Sequence, residues 1–402
     1  MRKASMIAAA LAAITLGGTG TATADIGTPL VDVDTAKVAQ ALHTTLGNGA
    51  TVGYAFAITE NGVLANTGAA GKARVDKNIA FTPFTRIEIA SSTKNVVAAA
   101  LLKLTEAAGI TPEAKIWPYL PPDMRATAHL SWQNVKIKHI LGHQSGLGQL
   151  VRDSNDTEDA LMHTRYEGIK YTMTKAVTVD ETPQGYYYEN RNYAFARVVI
   201  TRLWRLTEPD RGVPDWINAN TPPWTLNYVN EKLFAPAGIS WVTCLAENLD
   251  TAAHAYDRAN LAKGGVLHQM SGTAFESCAS YRGLHMSAMD LARWQVYLRY
   301  GDIVTPTVRQ WMDSMKLGWR PYGYLPAGGY AHGGRYHDDN GRAVRTCTGK
   351  FAGNVEVSLV VNSILGGGDL PPSLGVATAV NRAGCSGWGG CGPRSPTAGR
   401  LP

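Results

Sequence analysis

Ser91 and Lys94 stand three residues apart in Ser91-Ser92-Thr93-Lys94, at the head of an Ala- and Leu-rich run. Ser91 follows the extended stretch 84–90 and opens a helix predicted over 95–108, which stops at Gly109. A serine in that place has its side chain near unpaired backbone N–H groups and the positive end of the helix. Lys94 lies one turn on, on the same face. A serine hydroxyl is a weak nucleophile until a neighbour takes its proton. A lysine shielded from water can do this, or can lower the pKa of a second base. Alone, the same residues also read as a helix cap beside a solvated lysine.

Two further groups carry suitable chemistry. Tyr188-Glu189-Asn190 follows Pro183-Gln184-Gly185 and precedes an amphipathic helix predicted over 191–204. A tyrosine turned into a cleft beside an ammonium would have its pKa lowered. Its phenolate could accept the Ser91 proton and return it to the leaving group. Asn190 is placed to bind a substrate carbonyl or to fix Lys94. The competing reading is aromatic packing, since Tyr186, Tyr187, Tyr188 and Tyr193 crowd the stretch. His332-Gly333-Gly334 lies on a predicted strand, and paired glycines let a substrate backbone approach a strand edge. The N–H of Arg335, with that of Ser91, would form an oxyanion hole. His332 would assist Tyr188 or hold the polar end of a substrate. Here the ordinary alternative is a turn-forming glycine pair with a surface histidine.

The elements that must position these groups are legible as patterns. Residues 51–59 and 63–69 flank Asn61-Gly62, a hairpin signal. From about 110 to 315 the chain reads as mostly helical, most clearly over 191–204, 226–234 and 287–300. Strands return over 329–337, 342–346 and 355–362, followed by a closing helix over 373–382. Strands, helices, then strands and a helix predict an α+β chain. The early hairpin pairs with the late strands in one antiparallel sheet flanked by helices, with a large, mostly helical insertion. A cleft is expected between the sheet edge and the helical block.

Composition narrows the class. The 45% hydrophobic and 17% charged content is that of a globular protein. The formal charge is +6, with Arg2 and Lys3 supplying two of the positive charges, and no dense basic run follows them. Nucleic-acid binding is therefore not expected. Arg2 and Lys3, the apolar run 6–16 and Ala22-Thr23-Ala24 read as a secretory signal cleaved after Ala24. The apolar core is short for a membrane span, and no later stretch approaches that length. A secreted protein, periplasmic or extracellular, with no membrane span in its mature form is expected. Of five cysteines, Cys244 and Cys278 can pair across a long loop, and Cys385 and Cys391 can close a small one. No Cys/His spacing resembles a metal site. His337, Asp338 and Asp339 read as a polar turn. No cofactor is called for.

The order S-x-x-K, Y-x-N, H-x-G resembles the serine β-lactamase and penicillin-binding-protein superfamily, and more narrowly its class C β-lactamase-like family. Residues 135–147, 283–293 and 233–239 are also similar to segments of that family, in the right order. The resemblance implies a β-lactamase/transpeptidase-like fold with Ser91 as nucleophile, Lys94 as its partner and Tyr188 as base. Asn190, His332, Gly333, Gly334 and Arg335 are then the substrate-binding set. His143 and Ser145, within 135–147, read as structural. The implied organisation is a signal peptide over 1–24, one catalytic domain over 25–383 and a loose tail over 384–402. Within the domain, sheet parts cover about 25–90 and 315–383 and a helical part about 91–314. The implied activity is hydrolysis of a small ester, amide or peptide through an acyl-enzyme, by a monomer. A D-alanyl-D-alanine carboxypeptidase or class C-type β-lactamase is the nearest alternative. A binding protein that keeps the fold without catalysis is the third.

Overall fold

The computed structural model describes residues 33–364 and Val376, apart from 154–163, 219–220, 222, 247–248, 250–251, 268–277, 324 and 326–328. The leader, the closing helix expected over 373–382 and the tail with Cys385 and Cys391 lie outside the described residues, except Val376.

Asn61 and Gly62 both take positive φ (+52° and +80°), as a tight hairpin turn requires, and join β1 (Gly53–Glu60) to β2 (Val63–Arg74). β3 (Ile79–Ala80) pairs antiparallel with the end of β2. β4 (Ile87–Glu88) and β7 (His285–Met286) form a separate two-stranded ladder. The late strands β8 (Tyr330–His337), β9 (Ala343–Phe351) and β10 (Val355–Val361) follow one another as antiparallel neighbours. β10 then pairs with β1, Tyr54 opposite Val361, so the first and last strands meet inside one sheet. The insertion is less purely helical than its sequence suggests: β5 (Ala255–Asp257) and β6 (Asn260–Gly265) join the same sheet through Tyr256 opposite Ala343. β5 is only three residues long, and β6 is mostly exposed, polar and glycine-rich, so neither gives an apolar alternation to read.

Alternation sorts the sheet's two faces. Tyr54, Phe56 and Ile58 of β1 join Val357, Leu359 and Val361 of β10 against Val38, Leu42 and Leu46 of the Thr35–Leu46 helix. Ala55 and Ala57 face the larger core on the other side, where small side chains let the Ala288–Tyr300 helix lie close. The central element there is the Thr93–Ala107 helix, buried nearly all round and packed against the Arg191–Thr207 helix. An apolar helix with no solvent face must sit in the middle of the block.

β8 runs along the outer edge of β9 and presses on the turn that precedes the central helix. A Cβ at Gly334 would lie 2.1 Å from Thr346 Oγ1 and 2.3 Å from the Ile89 carbonyl oxygen. The glycine thus serves the close approach of two protein segments. The disulfide Cys244–Cys278 spans 34 residues and pins the segment leading to β7. Cys347 is a buried thiol. At 337–342, Asp338 accepts the amides of Asn340 and Arg342 in a polar turn.

Gly334→Ala should lower stability by about 1–3 kcal/mol through overpacking, read as a lower denaturant midpoint at unchanged m-value; an unchanged midpoint would show that β8 can draw back freely. Replacing Cys244 and Cys278 together by serine should cost about 3 kcal/mol in the same measurement.

Candidate active site

The β4–β7 ladder fixes the chain just before Ser91, and the Ile89 amide adds a bond to the Leu284 carbonyl at 2.9 Å. Ala90 then takes φ +47°, an uncommon conformation for a residue with a side chain, and turns the chain into the helix. Ser92 fastens this turn to the sheet. Its hydroxyl donates to the His332 carbonyl at 3.1 Å and lies 2.9 Å from Thr346 Oγ1, which donates to the Ile89 carbonyl at 2.7 Å. The half-buried Ser91 is left facing the space between β8 and the helical block.

Three chain segments meet at Ser91. The Tyr188 hydroxyl donates to Ser91 Oγ at 2.8 Å, and Lys94 Nζ lies 3.1 Å from the same oxygen. Nζ also donates to Asn190 Oδ1 at 2.9 Å and to the Tyr281 carbonyl at 2.8 Å. Of the two roles open to Asn190, the structure therefore displays its hold on Lys94. Lys94 is 0% exposed, and aromatic rings of Tyr188, Tyr193 and Tyr281 lie within 5.6 Å of its nitrogen.

Burial governs the protonation states here. It drives Lys94 well below the usual lysine range, with the nearby Arg320 cation adding to the effect. It pushes the Tyr188 phenol up, past the opposing hydrogen bond with Ser91. An ammonium neighbour is expected to lower a phenol, and here the phenol is shifted the other way. Desolvation outweighs the cation, and the lysine itself is held towards its neutral form.

His332 is buried, 1% exposed, not on the surface. Its Nδ1 lies 3.0 Å from the Gly333 carbonyl, so Nδ1 carries the proton, and its ring centroid is 6.3 Å from that of Tyr188. Burial holds this imidazole well below its usual range, neutral. The Gly333 amide points off β9 and donates to Tyr322 Oη at 3.1 Å. Strand alternation directs the Arg335 amide to the same edge. The Arg335 side chain is exposed.

Sequence reasoning missed Arg320 and Tyr281. The Arg320 guanidinium lies 4.8 Å above the Tyr188 ring and 5.3 Å from that of Tyr322. It sits in an irregular stretch without periodicity, joined to β8 by one bridge to Ala331. Tyr281 contributes a backbone oxygen, which side-chain type cannot signal. Among the described residues, no group of three His, Cys, Asp or Glu side chains could hold a metal, and no helix is long and apolar enough to cross a membrane.

An amine that burial holds towards its neutral form beside a hydroxyl, a phenol on the hydroxyl's other side and a strand edge opposite make an arrangement able to activate a nucleophile and protonate a leaving group. The chain has no match among curated proteins. Its fold is shared with EstCE1, described as a hydrolase with promiscuous acyltransferase activity, at TM-score 0.62 and 16% identity over 86% of this chain and 98% of that one. D-amino acid amidase from Ochrobactrum anthropi SV3 gives 0.59 and 17%, over 86% and 97%. A β-lactamase/D-alanine carboxypeptidase from Yersinia pestis gives 0.59 and 17%, over 87% and 98%. The family model described as Beta-lactamase matches residues 37–392. This chain therefore belongs to the Beta-lactamase family, serine hydrolases of the β-lactamase/transpeptidase fold.

Proposed function

We propose that the chain is an exported serine hydrolase that acylates Ser91 with a small ester, amide or peptide substrate and then hydrolyses the acyl-enzyme. The observation that carries this reading is the placement of Ser91 Oγ between Tyr188 Oη and Lys94 Nζ, at 2.8 and 3.1 Å. A neutral Lys94 has two N–H groups, and the Asn190 oxygen and the Tyr281 carbonyl occupy both. Its lone pair is then left for the Ser91 hydroxyl. As Ser91 Oγ attacks the substrate carbonyl, its proton passes to Lys94. The backbone N–H groups of Ser91 and Arg335 receive the developing oxyanion. Tyr188, protonated because it is buried, gives its proton to the leaving group as the tetrahedral intermediate collapses, and the Lys94 ammonium beside its ring restores the phenol. Water repeats the cycle on the acyl-enzyme. His332 contributes a neutral wall beside Tyr188.

Export fits the leader over residues 1–24 and the Cys244–Cys278 bridge, a linkage of oxidising compartments. The mature chain is then one catalytic domain over 25–383 with a tail.

A neutral His332 in the third motif gives a substrate carboxylate no charged anchor there, which favours esters and uncharged amides. One observation favours the carboxypeptidase or β-lactamase reading: Arg320 brings a cation to the Tyr188 side of the cleft.

A nitrophenyl acetate, a D-alanyl peptide and a chromogenic cephalosporin assayed in parallel separate these readings. We expect ester turnover to exceed cephalosporin opening. Ser91→Ala should abolish both turnover and fluorophosphonate labelling; labelling that persists in Ser91→Ala would remove Ser91 from the mechanism. Tyr188→Phe should lower the acylation rate at least about a hundredfold. Rapid cephalosporin opening that weakens in Arg320→Met, with ester turnover unaffected, would select the second reading. Because the active base is the neutral amine and burial lowers its pKa, kcat/KM should already be high at neutral pH. Its acid limb should fall well below the usual lysine range. A profile still climbing near about pH 10 would mean that Lys94 is an ordinary ammonium.

A further inference from the structure

The segment His143-Gln144-Ser145-Gly146-Leu147-Gly148 has no part in the chemistry above, yet it is built against the residues that carry Tyr188. The His143 carbonyl accepts the Tyr187 amide at 3.0 Å, and His143 Nδ1 accepts the Glu189 amide at 3.1 Å. The amides on both sides of Tyr188 thus end on one residue. The imidazole also lies along the phenol ring, 4.5 Å between centroids at 32°. His143 achieves this double contact at φ +57°, a left-handed conformation unusual for a bulky side chain. Its neighbours serve the same junction. Ser145 donates to Asn192 Oδ1 at 2.6 Å, and Asn192 Nδ2 approaches His143 Nδ1 at 3.4 Å. A Cβ at Gly148 would lie 2.3 Å from that of Tyr187, so the glycine admits the tyrosine-bearing segment.

The hydrogen bonds fix the tautomer. A backbone amide only donates, so Nδ1 presents its lone pair and the proton sits on Nε2. Nε2 is buried and has no protein partner among the described residues. Hydrogen bonding thus uses the Nδ1 edge of the ring and leaves the other edge unsatisfied.

We infer that His143 is a positioning residue for Tyr188, fixing the phenol over Ser91 by holding both flanking amides, one with its carbonyl and one with Nδ1. This rests on the reading of Tyr188 as a proton-transfer group. Nδ1 accepts the Glu189 amide only while it is unprotonated; the groups facing the ring are Lys94, Arg320 and His332, and the phenols of Tyr186, Tyr188 and Tyr193.

Three substitutions and one background test this with nitrophenyl acetate. His143→Ala removes the side-chain acceptor. In His143→Asn, Oδ1 takes the place of Nδ1, and asparagine tolerates the left-handed backbone. In His143→Gln the acceptor is displaced towards the Nε2 position. We expect His143→Ala to lower kcat about thirtyfold or more with KM changed less than about threefold, His143→Gln to resemble it, and His143→Asn to recover most of the loss. In a Tyr188→Phe background, His143→Ala should cost less than about threefold, because a residue acting through the phenol has little left to act on. Equal losses from His143→Ala in both backgrounds would overturn the inference. So would a His143→Asn protein that is as impaired as His143→Ala or does not fold, since ring volume would then be what the site requires. Should His143→Ala itself not fold, the contrast between His143→Asn and His143→Gln decides. A Tyr188→Phe protein with parental turnover would instead overturn the reading of Tyr188, and this inference with it.

Discussion

The structure depends on an amine kept out of water without a carboxylate to pair with it. Lys94 hydrogen-bonds a hydroxyl, a side-chain amide oxygen and a backbone carbonyl. Among the described residues it makes no ion pair within bonding distance. A charged ammonium in such a place carries a large desolvation penalty, so burial favours the neutral amine. The surrounding fold is what makes that possible. The Thr93–Ala107 helix has almost no solvent face, and several other helices pack against it.

Each partner of the amine comes from a different part of the chain, and each is held by its own local device. The ladder of β4 with β7, the left-handed Ala90 and the Ser92–Thr346 bond set the nucleophile. The hold of the 143–148 segment on the amides of Tyr187 and Glu189 sets the phenol. The disulfide to Cys244 restrains Cys278, three residues before the Tyr281 carbonyl. These restraints are polar and short-ranged, whereas the apolar core fixes only the general placement of the elements. Orientation to a few tenths of an ångström is a task for hydrogen bonds, since hydrophobic burial has no preferred direction.

Much of this is legible in the sequence. The Asn61-Gly62 turn, the Ala- and Leu-rich helix ended by Gly109, and the three late strands are strong local signals, and their order implies the antiparallel closure that the fold has. Ser91, Lys94, Tyr188 and Asn190 are candidates by type and spacing and take their roles from the family resemblance; the structure brings all four together. What escaped did so for physical reasons. β5 is too short, at three residues, to show a period, and β6 lacks apolar alternation because its mostly exposed residues need none. His332 was open to a surface reading because burial depends on what covers a strand edge. The direction of the Tyr188 shift was misjudged because desolvation is a property of the whole environment, whereas the sequence shows only the neighbouring charge. Arg320 lies in an irregular stretch where no period marks a position as inward.

The meeting of β1 with β10 has a consequence for how the chain matures. The Val52 amide donates to the Ser363 hydroxyl, 311 residues away, and the sheet's central pairing spans nearly the same distance. Contacts so remote in sequence form late, because the entropy of closing the long loop must be met first. The amino-terminal hairpin waits beside an unfilled edge until almost the whole polypeptide has been made. A chain that stops short of residue 355 would therefore keep one edge of β1 unpaired and could not complete the sheet.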